Sequence, residues 1–165
     1  MGLDMYLRGS KFLWRNWNDP EAERQEDGYR ITDIRIDLGY WRKHPNLHGY
    51  IVEAFASGND NCQEIELSVQ DMRNIISAIK EQRLPFTEGF FFGQSNDSEE
   101  QRKLDVAIFE QAIEWLEAEP KGQPPKPTEV ETGVSGMTML NIEVEPGDNS
   151  TPPRASRSVI YQASW

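Results

Sequence analysis

Between residues 29 and 41 apolar and polar side chains alternate: Ile34, Ile36, Leu38 and Tyr40 fall on one side, Asp33, Arg35, Asp37 and Gly39 on the other. That period of two predicts a half-buried strand. The period then lengthens, and Leu47, Tyr50, Ile51, Ala54 and Phe55 recur at the spacing of an amphipathic helix from about 46 to 56. Ahead of this pair, the apolar run 3–7 reads as a first strand with Asp4 inside it. Trp14 and Trp17 read as a cover for an edge of the core, and Asp19-Pro20 followed by acidic residues reads as the start of a short helix or excursion.

Turn chemistry at 57–61 closes the first helix. Residues 62–67 alternate again, with Ile65 and Leu67 on one side, as a strand ending at Ser68, whose partner Asp71 completes a capping pattern. Val69, Met72, Ile75, Ile76 and Ile79 then form the stripe of a second helix to about Gln82, stopped by Leu84-Pro85. The run 89–93, three phenylalanines between glycines, reads as a core plug or as a lid over a pocket.

A third helix, capped near Asp97-Ser98 and running to about Glu119, places Leu104, Ile108, Ala112 and Trp115 on its apolar face, widened by Phe109, Ile113 and Leu116. Glu99, Glu100, Asp105, Glu110, Glu114 and Glu117 read as its solvated face. From 120 to 136 the composition turns to Pro, Lys, Thr, Glu and Gly, a surface linker. Two further alternating segments follow, 137–145 and 156–165, the last with Val159, Tyr161, Ala163 and Trp165 on one face. The expected architecture is therefore one α+β domain over 1–165: three main helices on a mostly antiparallel sheet built from the first, second, Cys62 and C-terminal strands.

Length and composition agree with one core, since 165 residues are enough for one well-packed domain. No stretch approaches the roughly 20 apolar residues of a spanning helix. The start of the chain carries neither a basic region nor an apolar signal core. Cys62 is the lone cysteine, so no internal disulfide forms. The expectation is a cytoplasmic protein without membrane contact. A net charge of -11 argues against nonspecific nucleic-acid binding, which needs Lys and Arg on phosphates. It leaves open solubility or an acidic surface that mimics nucleic acid before a basic partner.

The candidate site is the strand-to-helix junction. Arg42 and Lys43 beside a helix start can hold an anion, because the guanidinium and the first-turn amides both donate. Tyr40 and Trp41 offer a stacking surface, although strand alternation turns one of them inward. His44 and His48 are four apart, but Pro45 biases His44 away from helical geometry. A metal site would also need a third ligand, so no metal and no cofactor are expected. His48 reads as a hydrogen-bonded helix residue, Cys62 as a buried thiol or a nucleophile, and Asp4 as a partner for Arg42.

Several segments, Met1 to Leu7, Gly39-Tyr40-Trp41-Arg42-Lys43 with His48, Asn61-Cys62, Leu84-Pro85 leading into the aromatic run, and Tyr161-Gln162-Ala163-Ser164-Trp165, together resemble a family of small phage and prophage proteins. Its members begin with a Leu-Asp-Met-Tyr-Leu motif, carry Tyr-Trp-Arg-Lys before a helix with His, and end in a Tyr-x-Ser-Ser-Trp-like strand. They are often labelled hypothetical proteins or phosphoglycerate kinases. The kinase label finds no support here: there is no Gly-rich phosphate loop, and the chain is too short for two nucleotide-clamping domains. The chain departs from the family pattern at His44-Pro45, at Ala163 and in its Pro-rich extension.

The resulting expectation is a non-enzymatic phage or prophage accessory protein binding a host protein or a small anionic ligand, with Tyr40, Trp41, Arg42, Lys43 and His48 as the contact set. Two alternatives stand beside it. One is a small enzyme acting on a phosphorylated or nucleotide substrate, with His48 as acid or base. The other is an acidic nucleic-acid mimic.

Overall fold

The computed structural model describes residues 2–13, 15, 23–88, 93–118 and 157–165. The expected cover by Trp14 and Trp17, the start of the excursion at 19–22, the aromatic run at 89–92, the linker at 120–136, the strand at 137–145 and the proline-rich turn at 146–153 lie outside the described residues. The strands are β1 (Asp4–Phe12), β2 (Gln25–Glu26), β3 (Tyr29–Arg30), β4 (Asp33–Arg42), β5 (Ile65–Leu67) and β6 (Arg157–Ser164). The helices are α1 (Pro45–Phe55), α2 (Val69–Lys80) and α3 (Glu99–Glu117). Three helices pack on an antiparallel sheet of order β4-β1-β6-β5, and β2 and β3 form a separate small hairpin. The α+β expectation holds, but two expected strands are shorter: Tyr29–Arg30 leave the second strand for the hairpin, and β5 begins only at Ile65, with Cys62 outside it, half-buried in a left-handed backbone (φ 61°).

Strand β6 lies between β1 and β5 and pairs antiparallel with both. Its alternation sends Val159, Tyr161 and Ala163 into the core, where they meet Met5 and Leu7 of β1 and Ile65 and Leu67 of β5. Trp165, expected on that same buried face, is instead 37% exposed, beyond the end of the strand at Ser164 and with its ring 5.8 Å from that of His48.

β1 is longer than its apolar run suggests, continuing through Gly9 to Phe12. Glycine there leaves room for the Trp115 ring, which a Cβ at that position would meet at 2.8 Å and force to shift. The pairing of β1 with β4 slips between Leu7 and Arg8: Leu7 faces Gly39 while Arg8 faces Asp37, which leaves Leu38 as the extra residue of a bulge. Beyond the bulge the inward and outward positions of β4 exchange. Trp41 turns into the core and Tyr40 outward, which corrects the continuous alternation read from Ile34 to Tyr40.

Helix α2 carries the expected capping box, with Ser68 Oγ accepting from Asp71 N at 3.1 Å and Asp71 Oδ2 accepting from Ser68 N at 2.9 Å. In α3 the buried stripe is Asp105, Phe109, Ala112 and Ile113, while Leu104 is exposed. The helix is therefore rotated from its expected setting, and Asp105 leaves the solvated face assigned to it. No helix among the described residues is long and apolar enough to cross a membrane.

Candidate functional site

The chemistry gathers where β4 passes into α1. Lys43 adopts a left-handed backbone (φ 56°) and donates its N–H to Leu3 O at 2.8 Å, which ends the pairing of β4 and reverses the chain. His44, the next residue, is thereby directed inward and is only 4% exposed. Pro45 occupies the first helical turn, where its missing N–H is not needed. His44 has no side-chain cap bond at this helix start. Ser95, from the loop before α3, supplies the cap across space: its Oγ accepts from Asn46 N at 2.9 Å.

His44 and His48 are both buried and share one arrangement, a carboxylate on Nε2 and a hydroxyl on Nδ1. His44 Nε2 lies 2.9 Å from Asp105 Oδ2, and its Nδ1 lies 3.1 Å from Ser95 Oγ. His48 Nε2 lies 3.0 Å from Asp60 Oδ2, and its Nδ1 lies 2.7 Å from the Tyr161 hydroxyl. An ionised carboxylate only accepts, so in the neutral ring the proton sits on Nε2. Nδ1 then accepts from the hydroxyl.

Asp105 is 1% exposed and is held by further donors, Trp41 Nε1 at 2.8 Å and Gln101 Nε2 at 2.7 Å. A buried carboxylate persists when its oxygens are satisfied in this way. The Trp41 ring stacks on Phe109 at 5.5 Å, so the indole fills the core and also donates to the carboxylate.

Burial pushes the Tyr161 phenol well above the ordinary tyrosine range, and the charge of Asp60 adds to the effect. Folding thus raises this pKa. The stabilisation from the neutral hydroxyl is intact below an unfolded pKa of about 10 and is lost as pH rises through the higher folded value. Tyr161→Phe leaves His48 Nδ1 without that donor, a cost of about 1–3 kcal/mol at neutral pH, and removes the alkaline loss. Urea midpoints measured from pH 7 to 11 are expected to start lower in the variant and to decline less at the alkaline end. Parallel curves would refute the coupling.

A cleft of about 140 Å³ opens beside the first pair, lined by His44, Asn46, Asp97, Arg102 and Asp105 with Ile79 and Leu84 as apolar wall. Asn46 knits its rim: its Nδ2 donates to Asp97 Oδ2 at 3.3 Å and its Oδ1 accepts from Thr87 N at 3.0 Å. Arg102 donates to the backbone carbonyl of Asp97 and makes no ion pair among the described residues.

The five residues expected from sequence are not brought together around this cleft. Tyr40 and Arg42 stand on the outer sheet face about Asp4, which accepts from the Tyr40 hydroxyl at 2.5 Å and lies 3.9 Å from Arg42 Nε. The hydrogen bond to Asp4 holds the Tyr40 phenol above its usual range. Lys43 is exposed, with its stem against Gly93. Trp41 and His48 are in the interior. The amide of Asn46, one of the first-turn donors expected to serve an anion, is taken by Ser95. Ser95, Arg102 and Asp105 were not singled out as site residues in the sequence. Asp105 alone has a legible signal, standing four before Phe109 and seven before Ala112 on the buried stripe.

No family model, curated protein or solved structure matches this chain.

Proposed function

We propose that the chain is a phage or prophage accessory protein that binds a small anionic ligand in the cleft beside His44 and Asp105. The phage assignment rests on the sequence resemblance. The ligand reading rests on one observation: Arg102 lines the cleft and makes no ion pair among the described residues. A guanidinium bonded only to a neutral carbonyl keeps donors suited to a carboxylate or phosphate.

The volume limits the occupant. Drug-sized ligands fill roughly 300–1,000 Å³, and this cleft offers about 140 Å³. Asp97 and Asp105 also line it and oppose a bare anion, although Asp105 is already engaged by its three donors. The ligand that fits is a small anion with a hydroxyl of its own, its charge on Arg102 and its hydroxyl donating to Asp97.

Phosphate and lactate are the probes. Either one, when it binds, raises the melting temperature by mass action, about 2.7 kcal/mol of stabilisation at one hundred times Kd. Arg102→Gln is expected to remove the shift, and the Arg42→Gln/Lys43→Gln double variant to keep it. The reverse result would return the anion site to the strand-to-helix junction. No shift with either probe in the wild type would remove the reading.

A host protein as partner is favoured by the outer sheet face, where Tyr40 is 52% exposed beside Tyr6 (ring centroids 5.4 Å) and Arg8 covers the Tyr6 ring. Unchanged capture of a host partner by a Tyr40→Ala/Arg42→Ala variant would exclude that face.

A further inference from the structure

Ligand binding on Arg102 makes no use of the pairing between His44, which lines the cleft, and the Ser95 hydroxyl beside it. The geometry points to a second capability: Ser95 is a nucleophile that hydrolyses small carboxylic esters, with His44 as its base and Asp105 positioning that base. The inference goes beyond anion binding and does not require Arg102.

Three relations carry it. Ser95 Oγ lies 3.1 Å from His44 Nδ1, within reach for proton transfer. His44 Nε2 lies 2.9 Å from Asp105 Oδ2, and Asp105 is itself fixed by Trp41 and Gln101, so the ring is held with its lone pair toward the serine. The hydroxyl, base and orienting carboxylate follow the order of a serine hydrolase triad, with the two ring nitrogens exchanged. Third, Asn46 N donates to the same Ser95 oxygen at 2.9 Å from the positive end of α1, which stabilises the charge that grows on Oγ as its proton leaves. Ser95 is half-buried, and both its partners, His44 and Asn46, line the cleft, as do the next residues Asn96 and Asp97.

The reaction balances with water alone. Ser95 Oγ bonds to the ester carbonyl carbon while its proton passes to His44 Nδ1, and the imidazolium faces the Asp105 carboxylate. The ester C–O bond breaks and the alcohol leaves with that proton. Water, losing a proton to His44, attacks the acyl-serine, and the proton returns to Ser95 as the carboxylic acid departs.

Capping alone would account for the Ser95 oxygen and the Asn46 amide. It requires neither the imidazole nor a buried carboxylate held by three donors, and replacing such buried polar groups with apolar ones is often neutral or stabilising.

The full chain is treated with an alkyl fluorophosphonate and, separately, with p-nitrophenyl acetate. The expected result is one phosphonyl adduct, assigned to Ser95 and not to nearby Ser98 by peptide fragmentation, together with nitrophenol release. Ser95→Ala is expected to lose both, and Ser95→Thr to retain the adduct. Asp105→Asn is expected to slow labelling by about 100-fold and to displace its pH dependence, a readout that a lost cap would not move. Absence of an adduct from the folded wild type, an adduct elsewhere, or an unchanged rate and pH profile in Asp105→Asn would each overturn the inference.

Discussion

Removal of residues 158–165 is expected to leave a chain with no cooperative unfolding transition. The deleted strand is the one through which β1 and β5 are joined, and Val159, Tyr161 and Ala163 are buried in the shared core. Loss of one large buried aromatic costs about 3–5 kcal/mol, against a total stability of about 5–15 kcal/mol. Deletion adds two open strand edges, β1 along Asp4 to Ser10 and β5 along its whole length. Urea titration followed by near-ultraviolet circular dichroism reads the result directly. Removing Trp165 alone is expected to do far less, since the indole is partly in solvent. A truncated protein with a wild-type midpoint would mean that the core is organised around another strand.

The second large effect is expected at Asp105. Asp105→Ala leaves Trp41 Nε1, Gln101 Nε2 and His44 without their shared acceptor in the interior. Each buried donor left without an acceptor costs about 1–3 kcal/mol, so the loss of three together is expected to take several kcal/mol. Glu110→Ala on the same helix is the natural control. Its contact with Lys80 is 3.3 Å between exposed groups, and such pairs contribute about 0–1 kcal/mol. Chemical unfolding of both variants gives the contrast. Similar midpoints would mean that Asp105 is solvated, as its place among the acidic residues of α3 first suggested.

How much of this was legible in the chain can be judged at particular residues. Period-two and helical spacings, with Ser68-Asp71 and Ser98 as caps, located α1, α2, α3 and the four sheet strands, because each signal is local and agrees with the burial the fold requires. The bulge at Leu38 was not legible. It is a relation between two strands, and neither β1 nor β4 alone records that Leu7 will face Gly39 while Arg8 faces Asp37. That single slip sends Trp41 inward and divides the expected contact set.

Asp105 was misread for a different reason. Carboxylates on an amphipathic helix are usually solvated, and its burial is made tolerable by Trp41 of β4 and His44 before α1, which converge on it from outside the helix, together with Gln101 of its own helix. The cleft is still further from local pattern. Its lining comes from the start of α1, the end of α2, the loop that follows and the first turns of α3, so no window of sequence contains it.

The position of β6 bears on how the protein is made. Strand β6, one of the two inner strands of the sheet, is synthesised after the other described strands, and it pairs with β1, so that Met5 meets Ala163 and Leu7 meets Tyr161. Pairings so distant along the chain are intrinsically slow to form. While the nascent chain is still growing, β1 and β4 can associate, but the strand that connects them to β5 does not yet exist. For that interval the apolar faces of β1 and β5 and the edges that β6 will occupy stay uncovered, the kind of surface through which growing chains associate wrongly.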